Sequence, residues 1–233
     1  MYEIEKKWRM SISSLQDPES IYKRLIEVLD QQAVWDVSSY DSERIIKQNV
    51  EQRCLLMDEN KLVRIRKSYS DPSELLPLQQ YTMTIKCDTD NPVKRVELNT
   101  KLDGDMGIQL MKECGSISVR KMRYVIPYLN PYRSTEDMIM HRVNHIYIDI
   151  YHDKLEGLVL VEVELENMRE SDMFDWKDVI PNISVSQVRC VLDTVYSKGY
   201  LSEGTNNPSY RFTNLGRSVL KKLWTGEYIV CPE

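Results

Sequence analysis

The stretch Met1-Tyr2-Glu3-Ile4-Glu5-Lys6-Lys7 decides how the rest of the chain is read. Successive side chains of a strand point to opposite faces, so Glu3, Glu5 and Lys7 share one face. Two carboxylates at i and i+2 repel, and such a face needs a cation, a basic ligand or water. The pattern returns in Leu160-Val161-Glu162-Val163-Glu164-Leu165-Glu166, with Glu162, Glu164 and Glu166 on one face and Val161, Val163 and Leu165 on the other. Two acidic strands, far apart in sequence and neutral or apolar behind, read as two walls of one metal site.

Between these strands the pattern predicts six more. Together the eight cover 2–12, 43–57, 61–69, 79–88, 93–99, 116–129, 142–153 and 158–167. Asp58-Glu59-Asn60 reads as a tight turn and 71–77 as a looser connection. Asp17 caps and Pro18 opens a helix ending near Asp30, with Ile21, Leu25, Val28 and Leu29 on one face. Asp103-Gly104-Asp105 resembles part of a calcium loop, but the remaining ligands are missing; it reads as a turn capping a helix to Cys114. Eight strands with two intervening helices predict an α+β fold built on an eight-stranded antiparallel barrel.

The polarity of those strands is informative. Arg64 and Arg66 share a face, as do Thr82, Thr84 and Lys86, then Arg95 and Glu97, then Lys121 and Arg123. Asp149 alternates with Ile148 and Ile150. Facing inward, Glu3, Glu5, Glu97, Asp149, Glu162 and Glu164 meet Lys7, Arg64, Arg66, Lys86, Arg95, Lys121 and Arg123. Burying an unpaired charge costs several kcal/mol, so this lumen cannot be a dry core. The expectation is a solvated tunnel whose apolar faces turn outward beneath the helices and the C-terminal segment. A solvated outer face explains any one of these strands, and seven of them poorly.

The composition fits. The 233 residues, 42% hydrophobic and 29% charged, suit one large soluble domain, or a domain with an appendix. A net charge of −5 gives the whole molecule no electrostatic case for nucleic acid, so an anion site must be a local basic cluster. The five cysteines are widely spaced without a C-x-x-C, which predicts reduced thiols and a cytoplasmic location. No apolar run approaches the roughly 20 residues of a membrane span. His141 and His145 are four apart, but on a strand such a pair is too widely separated for one zinc; with His152 they read as surface or packing residues. No Gly-rich phosphate loop or nucleophile–His–Asp set is visible.

The ordered set resembles the CYTH, or triphosphate tunnel metalloenzyme, family over about residues 1–168. Its Glu-x-Glu-x-Lys signature is Glu3-Ile4-Glu5-Lys6-Lys7. Further matches are the stretch 48–55, Arg64-Ile65-Arg66, Thr84-Ile85-Lys86, Arg95-Val96-Glu97, Lys121-Met122-Arg123 and the run from Asp149 to Leu165. Cys54 departs from the family, which commonly carries an aromatic residue there. The resemblance implies a triphosphate-binding tunnel with one or two divalent ions, Mg²⁺ or Mn²⁺, held by Glu3, Glu5, Glu162 and Glu164. Arg64, Arg66, Lys86, Arg95, Lys121 and Arg123 are then the phosphate ligands. Glu97 and Asp149 would serve a second metal or the attacking water, and Lys7 a phosphate or Glu5. The implied activity is metal-dependent hydrolysis of an inorganic or organic triphosphate, releasing orthophosphate. A class IV-type adenylyl cyclase and a non-catalytic triphosphate-binding module stay open beside it.

Residues 169–233 fall outside the resemblance. A helix over about 184–198, Gly199-Tyr200-Leu201, a hairpin at 204–208 and a last helix to Leu223 look like the second half of a winged helix. Arg189, Lys198, Arg211, Arg217, Lys221 and Lys222 make this segment locally basic. Residues 169–183 look too short for the two preceding helices of that fold. The expectation is therefore an appendix that covers the barrel or forms a homodimer; nucleic-acid binding by the tail is the alternative.

Overall fold

The computed structural model describes residues 2–10, 18–37, 43–57, 61–75, 77–91, 93–113, 118–133, 143–156 and 158–203. The expected cap at Asp17, the turn at 58–60, His141, and the hairpin and helix at 204–223 lie outside the described residues. β1 (Tyr2–Met10) leads to α1 (Pro18–Gln32) and a three-residue strand, β2 (Ala33–Trp35). Four long strands follow: β3 (Ile45–Met57), β4 (Lys61–Tyr69), β5 (Gln79–Asp88) and β6 (Lys94–Leu102). After α2 (Gly104–Glu113) come β7 (Ser118–Leu129), β8 (Val143–Tyr151) and β9 (Val159–Leu165). The described chain ends with α3 (Met168–Met173), α4 (Trp176–Val179), α5 (Ser186–Ser197) and β10 (Leu201–Glu203).

The strand order β1-β6-β5-β4-β3-β7-β8-β9 closes on itself, because β9 also pairs with β1. Every neighbouring pair around this ring is antiparallel. The eight-stranded antiparallel barrel expected from the sequence is present, and closure removes the unpaired edges of an open sheet. Two short strands were not foreseen. β2 runs parallel to β3, and β10 pairs with Trp8–Met10 on the edge of β1 that β6 covers only at Tyr2–Ile4. β6 outruns the expected 93–99 because its register with β5 continues to Tyr81↔Leu102.

The core lies outside the barrel. Ile4, Trp8, Tyr124, Ile126, Ile146, Ile148, Val161 and Val163 are buried against Leu25 and Leu29 of α1 and against Val188, Val191, Leu192 and Val195 of α5. Trp8 packs on Trp176 at 4.9 Å between ring centroids and on Phe174 at 5.2 Å. Residues 168–203 thus share one hydrophobic core with the barrel. Between Met168 and Asn182 the chain forms two short helices, of six and four residues, and a 3-10 turn.

α2 closes a second cluster over Ile65 and Tyr81 through Met111. A Cβ at Gly107 would fall 2.2 Å from the Tyr81 ring, so the helix can lie this close only with glycine there. The Asp103 side chain accepts from the Met106 N–H at 2.9 Å, which makes Asp103 a helix cap, as its turn suggested. Among the described residues, no helix is long and apolar enough to cross a membrane.

Candidate active site

The strand register places the predicted charges together. Across β1 and β9, Glu5 lies opposite Glu164 and Lys7 opposite Glu162; across β1 and β6, Glu3 lies opposite Arg95. Lys86 pairs with Glu97, and Arg123 with Asp149. Directly opposed side chains stand roughly 5 Å apart at Cβ, so each pair interacts. The like-charged pair, Glu5 and Glu164, is the one that demands help from a cation.

A cavity of about 520 Å³ opens in the barrel. Nine of the thirteen predicted site residues line it: Glu3, Glu5, Arg64, Arg66, Lys86, Glu97, Arg123, Glu162 and Glu164. Lys7, Arg95, Lys121 and Asp149 do not; they stand behind the cavity wall. Asp149 has no exposed surface. It accepts from Arg123 through Nε and Nη2, both at 2.6 Å, and is also bonded by Lys121. Such a carboxylate is a hub for two cations rather than a ligand aimed at the lumen. Lys7 donates to Glu162 at 2.6 Å and lies 3.3 Å from Glu5. Arg95 Nη2 sits 2.5 Å from Glu5.

The pairing explains the protonation of these groups. Burial works against the charges of Asp149, Glu162 and Glu5, but their Arg and Lys neighbours outweigh it and hold all three below the usual carboxylate range. Burial likewise opposes the Glu97 charge, and Lys86, 2.6 Å away, overrides it. Glu3 behaves oppositely. Burial and the nearby Glu5 push its carboxyl up to about 8, although Lys86 donates to it at 2.6 Å. Glu164 is open to water from inside the barrel, yet the surrounding wall raises its carboxyl too. Burial and then Arg123 lower Lys121 to about 7. Burial and the adjacent Arg66 lower Arg64 to about 10.

Arg66 differs from every other lumen cation. Among the described residues it forms no hydrogen bond and no ion pair, and its Nε is buried. A guanidinium held in a cavity wall without an acceptor among the described residues has donors free to meet an anion. Its neighbour Arg64 donates to Gln52 at 3.2 Å, and the two guanidinium groups of Arg64 and Arg66 repel each other.

The donor chemistry of Glu3, Glu5, Glu162 and Glu164 suits a hard divalent cation, which takes carboxylate oxygens. Among the described residues, however, no three acidic, His or Cys side chains already converge on one point. Lysine and arginine occupy oxygens of Glu3, Glu5 and Glu162 instead, so a metal must displace those partners.

The sequence pattern missed Tyr2, Ile4, Leu98, Asn99, Tyr147 and Leu165, which complete the lining. Asn99 bridges Thr84 and Glu97, accepting from the first and donating to the second, both at 2.7 Å. Asn99 and Tyr147 each lie two residues from a predicted site residue on the same strand, so the two-residue period held the signal. Cys54, the departure from the family pattern, lies where the register of β3 with β4 shifts. His145 rests 6.3 Å from the Tyr147 ring, and His152 follows β8 on the surface.

No family model and no curated protein matches the chain. Among solved structures it is similar to the inorganic triphosphatase NE1496, at 16% identity and a TM-score of 0.41, over 91% of this chain and 93% of that one. It is also similar to HpAC1 from Hippeastrum, an adenylyl cyclase candidate with a dominant triphosphatase activity. That match has 12% identity and a TM-score of 0.47, over 98% of each chain. Likeness of this degree assigns no residue and no substrate. In its own geometry, the closed barrel with a charged interior resembles the triphosphate tunnel fold.

Proposed function

We propose that the protein is a divalent-metal-dependent triphosphatase that holds a triphosphate in the barrel and releases orthophosphate. The observation that carries this reading is Arg66, a cation in the cavity wall with a buried nitrogen and no acceptor among the described residues. Arg64, Lys86 and Arg123 surround the same space, so a chain of phosphates meets several cations in succession. Five carboxylates, Glu3, Glu5, Glu97, Glu162 and Glu164, line it as well. A polyanion cannot enter beside them unless positive charge enters with it.

Glu5 and Glu164, aided by Glu3 and Glu162, would hold Mg²⁺ or Mn²⁺, which when bound neutralises these carboxylates and polarises the phosphate oxygens. The protein's own task is positioning and charge stabilisation, since phosphoryl transfer to water requires little covalent help. Arg66 and Arg64 fix the phosphates, and Arg123 stabilises the charge that develops on the reacting group. Lys7, Arg95, Lys121 and Asp149 act one layer back by holding Glu5, Glu162 and Arg123 in place. The free thiols of Cys54, Cys87 and Cys190 suit a reducing cytoplasm.

The test is product analysis with the full chain, Mg²⁺ or Mn²⁺, and tripolyphosphate, ATP, thiamine triphosphate or 5′-triphosphate RNA. Orthophosphate release from one of these is expected. Combining Glu162→Gln with Glu164→Gln should lower it by orders of magnitude while the fold survives. Pyrophosphate release from ATP would replace this reading with the cyclase one. Binding without turnover would leave a triphosphate-binding module.

A further inference from the structure

We propose that Tyr147 is a positioning residue that couples the phosphate-binding and the metal-binding halves of the cavity. The inference rests on the triphosphatase reading above. Tyr147 lies opposite Val125 on β7 and opposite Glu162 on β9. Its diagonal neighbours are therefore Arg123 on one side and Glu164 on the other, within reach of a long aromatic side chain. The side chain touches both. The Arg123 guanidinium stacks over its ring at 4.7 Å, and its hydroxyl donates to Glu164 at 3.4 Å.

The ring is well placed to act as a fixed support. Tyr147 is 6% exposed and packs with Ile46 and Val125, which restrict its rotamers. Arg123 spends Nε and Nη2 on Asp149 and Glu162, and Nη1 makes no bond among the described residues. The ring face fixes the guanidinium plane and so the direction in which Nη1 meets a phosphate. The hydroxyl acts on Glu164, whose carboxylate has no other hydrogen-bond donor among the described residues. Removing the hydroxyl and removing the ring should thus produce different defects.

The experiment compares the full chain with Tyr147→Phe and Tyr147→Leu in two binding measurements. Mn²⁺ binding is followed by the electron paramagnetic resonance signal of the free ion. Tripolyphosphate binding is followed by calorimetry without added metal. Tyr147→Phe should weaken Mn²⁺ binding by about tenfold, the usual loss for an outer-sphere partner, and leave tripolyphosphate binding unchanged. Tyr147→Leu should weaken both, the phosphate by roughly fivefold through loss of the cation–π face. Wild-type Mn²⁺ affinity in Tyr147→Phe, or equal losses of both ligands in that variant, overturns the coupling role. Absence of both ligands from the wild-type protein instead sinks the triphosphatase reading, and this inference with it.

Discussion

Ile148 and Asp149 are consecutive residues, both fully buried, and they face opposite ways. Ile148 looks outward into a hydrocarbon core beneath α1 and α5; Asp149 looks inward at Arg123 and Lys121. The same division holds on β1, where Trp8 lies outside and Glu5 and Lys7 inside, and on β9, where Val161 and Val163 oppose Glu162. The outer face gains stability from area removed from water and tolerates imperfect geometry. The inner face must be neutralised pair by pair, because each buried charge without a partner costs several kcal/mol. That pairing is left incomplete at Arg66, which has no acceptor among the described residues and carries the proposed phosphate contact.

The comparison breaks most severely if its outer half is removed. Truncation after Met168 strips Trp176, Val179, Ile180, Val188, Val191, Leu192 and Val195 from the shared core. Each such side chain contributes roughly 1.5–3 kcal/mol on burial, whereas a whole domain retains about 5–15 kcal/mol of net stability. The 1–168 fragment should therefore be insoluble or unfolded, which soluble expression and thermal melting will show. A folded fragment with the melting temperature of the full chain would mean that the barrel stabilises itself.

The inner half is sharpened by two single substitutions. Asp149→Ala leaves Arg123 and Lys121 buried without their shared carboxylate and should cost about 3–5 kcal/mol in urea unfolding. Arg66→Ala removes a cation that no described residue pairs with, so stability should stay within about 0.5 kcal/mol of wild type. Tripolyphosphate binding by Arg66→Ala should instead fall by about 1.5–3 kcal/mol, the value of a hydrogen bond to a charged group. The reverse outcome, a destabilised Arg66→Ala with wild-type affinity, would move Arg66 from ligand binding to structure.

The sequence revealed which way each long strand faces, since a period of two suffices for that. It did not reveal depth. Lys121 and Arg123 share a face, yet one stands behind the cavity and the other on its wall, because depth depends on register with strands remote in sequence. Tyr147 escaped notice for a different reason: an aromatic residue reads as core, and its hydroxyl shows its use only beside Glu164. β2 and β10 have three residues each, too few for any periodicity to appear. The helices α3 and α4 are equally short, and caps at Asn167 and Asp175 mark their starts better than any apolar pattern does.

The smallest effect concerns the protonation of a single buried group. Lys121 is held behind the cavity by Asp149, and burial with Arg123 nearby lowers its folded-state value from 10.5 to about 7. Below pH 7 the lysine is charged in both the folded and unfolded chain, and the full cost of burying that charge opposes folding. Between about 7 and 10.5 the folded protein releases the proton while the unfolded chain keeps it, so stability rises with pH across this window. The slope from one such group is at most about 1.4 kcal/mol per pH unit. Lys121→Met has a similar length and no proton to lose, and Asp149 stays paired with Arg123. Urea unfolding of both proteins from pH 6 to pH 10 isolates the contribution as their difference. Wild type should gain on the variant steadily above pH 7 and hold a constant deficit below it. A difference independent of pH would place a permanently charged lysine in the buried layer, with Asp149 dividing its charge equally between two cations.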